Sequence, residues 1–119
     1  LWVQGSEDLD KLRSMPESDG IELVQGGFAG LEQFVKEHGD IDYFGTRLHC
    51  GIYCLNHKIR SMIVTIDNRA ADIQRDTNIP TVDRSDLKHD MERLIEQSRS
   101  TNINIPVENI QRWKEQFRK

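Results

Sequence analysis

The side chains best suited to chemistry in this 119-residue chain gather in two short stretches, Gly45-Thr-Arg-Leu-His-Cys50 and Asp67-Asn-Arg69. Arg47 can grip a carboxylate or a phosphate in a bidentate fork, and Thr46 adds a hydroxyl beside it. Around them the apolar run Tyr43-Phe44 gives way to helix-spaced Leu48, Ile52 and Leu55. That change marks a buried strand turning directly into a helix, with the first free backbone N–H groups aimed at the turn. A helix N-terminus suits an anion, and a cation there is unfavourable unless an anion offsets it. Arg47 therefore has two readings of equal weight: a ligand-binding group, or an ion-pair partner of Asp40, Asp42 or Asp67.

His49 falls inside the first turn of the same helix. There it is a candidate general acid or base near neutral pH, and the plainer reading is a packed histidine bonded to a carbonyl. Asp67-Asn68-Arg69 follows the strongest strand signal, Ser61-Met-Ile-Val-Thr-Ile66. Arg69 would bring a second positive group to the same crevice, while Asn68 also reads as a simple cap on the next helix. Cys50, Cys54 and His57 repeat on one helix face, but three ligands on one straight helix splay too far for tetrahedral zinc. The cysteines are read as small buried hydrophobes. Gly51 is read as a site of close helix-on-sheet packing. Neither a G-x-G-x-x-G nor a Walker A pattern occurs.

The elements that must hold these residues alternate. Leu1–Gln4 reads as a strand remnant, Glu7–Met15 as a helix capped by Ser6, and Ile21–Val24 as a short strand. Phe28–His38 follows as a helix carrying Leu31, Phe34 and Val35 on one side. After the central strand-turn-helix and the Ser61–Ile66 strand come a short helix over Ala70–Asp76 and a strand over Pro80–Asp83. A helix capped by Ser85 has Leu87, Met91, Leu94 and Ile95 as its expected buried stripe. A last helix begins at Pro106 with Val107, Ile110, Trp113 and Phe117 on one face. Continuous apolar strands between helices imply an α/β domain, a doubly wound, mainly parallel sheet with helices on both faces. Ligands of such sheets bind outside the carboxyl ends of the strands, where Gly45–His49 would lie.

Composition narrows the partners. With 36% hydrophobic and 30% charged residues the chain reads as one soluble domain, residues 1–119. Its net charge of -4 and lack of a basic cluster argue against nucleic acid. No apolar run reaches membrane-spanning length. Two cysteines one helical turn apart cannot form a disulfide framework, so a reducing cytoplasm is expected. The chain opens without an initiator methionine on what reads as the end of a strand, and is expected to begin inside a larger protein.

Gly45-Thr-Arg-Leu-His49, a small-residue helix, and an apolar strand ending in Ile66-Asp-Asn-Arg69 together resemble the polysaccharide pyruvyl transferase family. The resemblance is clearest from Ile41 to Pro80 and extends loosely to Trp2–Leu9. It implies the C-terminal, Rossmann-like half of a two-domain GT-B-type enzyme that moves a pyruvyl group from phosphoenolpyruvate to a sugar of a cell-surface polysaccharide, forming a ketal. It also implies that Arg47 and His49 contact the donor, with work done in the cytoplasm or at the inner face of the membrane. Protonation of the donor's methylene carbon calls for a general acid, the role given to His49. Arg47 would hold the carboxylate or phosphate, with Thr46, Asn68 and Arg69 as further substrate-binding residues. This scheme calls for no metal or cofactor. Cys50 departs from the glycine or alanine the family more often has there.

The implied N-terminal domain would bring the acceptor site, so this chain alone is expected to fold without turnover. Residues 105–119 would pack on this domain or on that missing one. Two other readings stand beside it. One is the nucleotide-sugar-binding half of an ordinary glycosyltransferase, with Asp67 or Glu22 gripping the ribose. The other is a non-catalytic domain that assembles through the Trp113/Phe117 helix, which exposed aromatics and an occluded Arg47/His49 crevice would favour.

Overall fold

A computed structural model of the chain describes residues 1–118. The chain forms two compact units, Leu1–Ile41 and Asp42–Lys119.

In the first unit, helix α1 (Ser6–Arg13) and helix α2 (Gly27–Glu37) are the only regular elements. The two strands expected here reduce to one parallel bridge between Trp2 and Val24. Val3 N–H donates to Val24 O and Val24 N–H to Leu1 O, each at 2.9 Å. Runs of four residues closed by Gly5 and by Gly26-Gly27 leave no room for a longer ladder. Gly26 and Gly27 both take positive φ, 91° and 61°, to swing the chain into α2. The cap of α1 also differs from expectation. Asp8 reaches back to accept from the N–H groups of Gln4 (2.9 Å) and Gly5 (3.4 Å), so Ser6 enters the helix instead of capping it. Leu31 and Val35 of α2 are buried, as their spacing requires, together with Val3.

The second unit holds the sheet. Strands β1 (Tyr43–Gly45), β2 (Ser61–Thr65) and β3 (Thr81–Asp83) run parallel in that order. The register pairs Gly45 with Ile63 and Thr65 with Asp83. Helix α3 (Leu48–Asn56) joins β1 to β2, and α4 (Asn68–Thr77) joins β2 to β3. A 3₁₀ turn, Arg84–Asp86, leads into α5 (Leu87–Glu96), and α6 (Val107–Glu115) follows.

Alternation along β2 divides the core. Met62 and Val64 point to one face and pack with Phe44, Val82, Leu87 and Leu94. Ile63 points to the other, among Tyr43, Leu48, Leu55, Ala70, Ile73 and Ile79. Helices therefore cover both faces, with α3 and α4 on one side and α5 on the other. This is why β2 reads as an unbroken apolar run.

Two expectations change at the edges of this sheet. Asp83, not Ser85, is the capping residue. Its Oδ1 accepts from Ser85 N (2.8 Å) and Ser85 Oγ (2.6 Å), which draws the chain into the 3₁₀ turn and delays α5 to Leu87. Of the α5 stripe, Leu94 is buried and Leu87 half-buried, but Met91 and Ile95 are exposed. A sheet three strands wide meets only the line through Leu87 and Leu94. The C-terminal end of α5 is closed by Arg60, which donates to the carbonyls of Ile95 (2.7 Å) and Gln97 (2.8 Å) and pairs with Asp42 at 2.8 Å. A cation there opposes the negative end of the helix dipole. Finally, α6 buries none of its residues.

Gly51 brings α3 down onto the sheet. A Cβ at this position would lie 2.4 Å from Cγ1 and 2.6 Å from Cδ1 of Ile63, a side chain with no exposed surface. Alanine would gain about 1 kcal/mol in helix propensity but overpack the interface by about 1–3 kcal/mol. Gly51→Ala should therefore lower the urea midpoint of unfolding with little change in its slope. A raised midpoint would show that α3 has room to lift.

Candidate functional site

All three strands point their carboxyl ends the same way, so the turns after them share one edge of the second unit. These are Thr46-Arg47 after β1, Ile66-Asp67 after β2 and Arg84-Ser85 after β3. Neighbouring strands lie about 4.8 Å apart, which sets the backbone of the first two turns side by side. Thr46, Arg47 and His49 are exposed there, as are Asn68 and Arg69 one strand over. Every residue singled out for the site thus falls on this edge.

The two helix N-termini on the edge differ in charge. At α4 the N-cap is Asp67, whose Oδ1 accepts from Arg69 N at 3.0 Å. Its Oδ2 holds the Arg69 guanidinium through Nε (3.0 Å) and Nη2 (2.7 Å). That guanidinium keeps the Asp67 carboxyl below the usual carboxylate range. This helix end carries its own anion. The cap expected at Asn68 lies one residue earlier, because a carboxylate is the stronger acceptor for the free N–H groups. Arg69, expected as a second ligand cation, is the partner of that carboxylate.

At α3 the N-cap is Arg47, in extended conformation, with no side-chain cap and no acidic residue in the first turn. The first N–H with an intrahelical partner is that of Gly51, which donates to Arg47 O at 3.1 Å. The preceding N–H groups, of Leu48, His49 and Cys50, face the edge. Of the acidic residues proposed as Arg47 partners, Asp42 pairs with Arg60 and Asp67 with Arg69, and Arg47 is itself engaged. No family model, characterised protein or solved structure matches this chain.

Tyr43 shapes the turn and was not anticipated from the sequence. Its hydroxyl accepts from Arg47 N at 3.0 Å and donates to Arg47 O at 2.9 Å. One phenol thus fixes both backbone groups of the residue at the head of α3. Burial pushes the Tyr43 phenol far above its ordinary range, so it keeps the proton it donates. The ring fits because two glycines make space. A Cβ on Gly45 would lie 2.9 Å from the Tyr43 hydroxyl, and one on Gly51 would lie 3.1 Å from its Cε1. A tyrosine four residues before a helix-heading arginine, with glycines between and beyond, is the signal that could have identified it.

The histidines separate by position. His38 and His57 each place Nδ1 against the carbonyl four residues earlier, Phe34 O at 3.0 Å and Tyr53 O at 2.8 Å. That is the plain role considered for His49. His49 itself is exposed in the first turn of α3. Cys50 and Cys54 are both 2% exposed with their thiols hydrogen-bonded, and that bond, with burial, holds Cys50 well above the usual thiol range. They are packing residues here. Among the described residues no group of three or more His, Cys, Asp or Glu side chains is placed to hold a metal ion. No helix among them is long and apolar enough to cross a membrane.

Tyr43→Phe keeps the ring and removes only the hydroxyl. Loss of its two hydrogen bonds should cost about 1–2 kcal/mol of stability, read by urea unfolding. Amide exchange should rise at Arg47 while the protection of β2 persists. Unchanged exchange at Arg47 would mean that the turn holds without the phenol.

Proposed function

We propose that the carboxyl edge around Arg47 is the donor half-site of a polysaccharide pyruvyl transferase, binding phosphoenolpyruvate for transfer of its pyruvyl group to a sugar. The observation that carries this reading is the contrast between α3 and α4. Helix α4 has the carboxylate of Asp67 as its N-cap, whereas α3 has Arg47 as its N-cap and no acidic residue in its first turn. Two positive features at one point on a helix favour a ligand with two negative groups. Phosphoenolpyruvate has a phosphate and a carboxylate.

In this reading the α3 N-terminus and Thr46 cradle one of those groups and Arg47 grips the other. Asn68 and Arg69 border the pocket, Arg69 acting through its pair with Asp67. His49, one residue inside the helix and open to solvent, donates the proton to the methylene carbon. One acceptor hydroxyl, losing its proton, adds to the cation left at the adjacent carbon; phosphate then leaves, and a second hydroxyl of the same sugar, losing its own proton, closes the ketal. Preorganised positive groups lower the barrier to such a charge rearrangement. The three-stranded parallel unit is, on this account, the core of a doubly wound Rossmann-like half of a GT-B pair, and the complementary half supplies the acceptor.

The glycosyltransferase alternative draws less support. A nucleotide sugar needs a carboxylate for its ribose hydroxyls; Asp67 is committed to Arg69 and to the head of α4, and Glu22, the other one considered, belongs to the first unit. The non-catalytic reading keeps one of its two marks. Trp113 and Phe117 are exposed, at 59% and 67%, but Arg47 and His49 are exposed as well.

Titration calorimetry of the chain with phosphoenolpyruvate, and with a nucleotide sugar in parallel, tests the proposal. Arg47→Ala removes a charge-assisted fork worth about 1.5–3 kcal/mol, so phosphoenolpyruvate affinity should fall by about 10–100-fold. His49→Gln should leave that affinity within a few-fold. Heat from the nucleotide sugar alone, or equal affinity in Arg47→Ala, would overturn the proposal.

A further inference from the structure

The turns on the carboxyl edge of the second unit each bring an arginine: Arg47 after β1, Arg69 after β2 and Arg84 after β3. The last two turns are built alike. In Asp67-Asn68-Arg69 and in Asp83-Arg84-Ser85 an aspartate in extended conformation is the cap, and its carboxylate accepts from the backbone N–H two residues on. The side chain at that third position decides what else the carboxylate holds. After β2 it is Arg69, whose guanidinium folds back onto Asp67 at 2.7 Å. After β3 it is Ser85, whose hydroxyl donates to Asp83 Oδ1 at 2.6 Å, while Thr65 Oγ1 donates to Oδ2 at 3.5 Å. The arginine of this turn stands one place earlier and takes no part in the cap.

Arg84 is exposed, and among the described residues no carboxylate pairs with it, although Asp83 precedes it and Asp86 follows two residues on. The other arginines from β2 to α5 behave differently. Arg60, Arg69, Arg75 and Arg93 each pair with an aspartate. A guanidinium without a counterion, on the edge where ligands of parallel sheets bind, is available to an external anion. Strand spacing puts the β1 and β3 turns about 9.6 Å apart, on either side of the end of β2. Two long arginine side chains can close that span over a small ligand.

We propose that Arg84 is a further donor-binding residue, holding the phosphate of phosphoenolpyruvate from the β3 side of the edge. This role rests on the donor-site reading given above. A single Arg47 fork fills both oxygens of a carboxylate. The phosphate has three free oxygens and the greater charge, so beyond the N–H groups at the head of α3 it still has acceptors for a second cation. The same contact assists the departure of phosphate, because a fixed guanidinium stabilises the negative charge it carries away.

Titration calorimetry with phosphoenolpyruvate on the unaltered chain, Arg84→Ala, Arg84→Lys, Arg47→Ala and Arg75→Ala tests the proposal. Arg75 lies in the last turn of α4, at the end away from the carboxyl edge, and its replacement removes the same charge. Arg84→Ala should weaken binding by about 10-fold or more, the scale of a lost charge-assisted hydrogen bond. Arg84→Lys should recover part of that loss, and Arg75→Ala should leave the affinity unchanged. The phosphorus NMR resonance of bound phosphoenolpyruvate should differ between the unaltered chain and Arg84→Lys. Because Arg84 is exposed and supports no core, its variants keep the fold, which an unchanged urea midpoint verifies. Binding that Arg47→Ala weakens and Arg84→Ala does not would overturn the role of Arg84 and leave the donor-site reading standing. Equal losses in Arg84→Ala and Arg75→Ala would overturn it as an effect of net charge alone, and an unmoved phosphorus resonance would overturn the contact with phosphate. No binding by the unaltered chain would overturn both readings.

Discussion

The turn between β1 and α3 depends on one side chain wedged into it. Tyr43 leaves the strand, passes over Gly45, lies against Gly51 and ends with its hydroxyl held between the N–H and the carbonyl of Arg47. Backbone polar groups at the head of a helix are ordinarily satisfied by a cap from the sequence immediately before it. Here the phenol satisfies those of Arg47 from four residues away. It does so without covering the N–H groups of Leu48, His49 and Cys50. The cost is steric, since two positions within reach of the ring must lack a Cβ. Gly51 serves twice, because it also lets α3 settle on Ile63, the most buried side chain of the sheet.

With the turn set this way, electrostatics distinguishes the two helices that start on the same edge. A helix N-terminus gains from a nearby negative charge. Helix α4 obtains it internally from Asp67, and Arg69 follows as the counterion. Helix α3 has a cation in the corresponding place and no acid in its first turn. On the reading proposed above, a ligand with two negative groups would suit that end. His49 stands beside the same point with its ring exposed.

Much of the second unit was legible in the sequence because its strands are short, apolar and separated by helix-spaced residues. The Ser61–Thr65 strand, the helix after Arg47 and the close approach at Gly51 follow from periodicity and residue size. At Asn68 and Ser85 the caps were misassigned for one reason: the preceding aspartate (Asp67) or one two residues earlier (Asp83) accepts more strongly and takes the capping bond. At Ser6 the helix starts one residue earlier than expected, with Gly5 as N-cap and Asp8 accepting from the N–H groups that precede it. Met91 and Ile95 were placed in the core by helical spacing alone. That spacing gives a direction on the helix, not the width of the sheet it meets. The Trp2–Val24 bridge shows the same limit, since strand propensity does not supply a neighbour long enough to build a ladder. Tyr43 was missed because its role crosses from strand to helix, a relation no local pattern encodes.

Whether the head of α3 binds an anion is measured most directly by amide-resolved NMR during a phosphoenolpyruvate titration. Saturable shifts are expected at the amides of Leu48, His49 and Cys50, with smaller changes at Thr46 and Arg69 and little at α5 or α6. Shifts spread evenly over the exposed arginines and lysines, or saturable shifts centred on the head of α4, would contradict an anion site there.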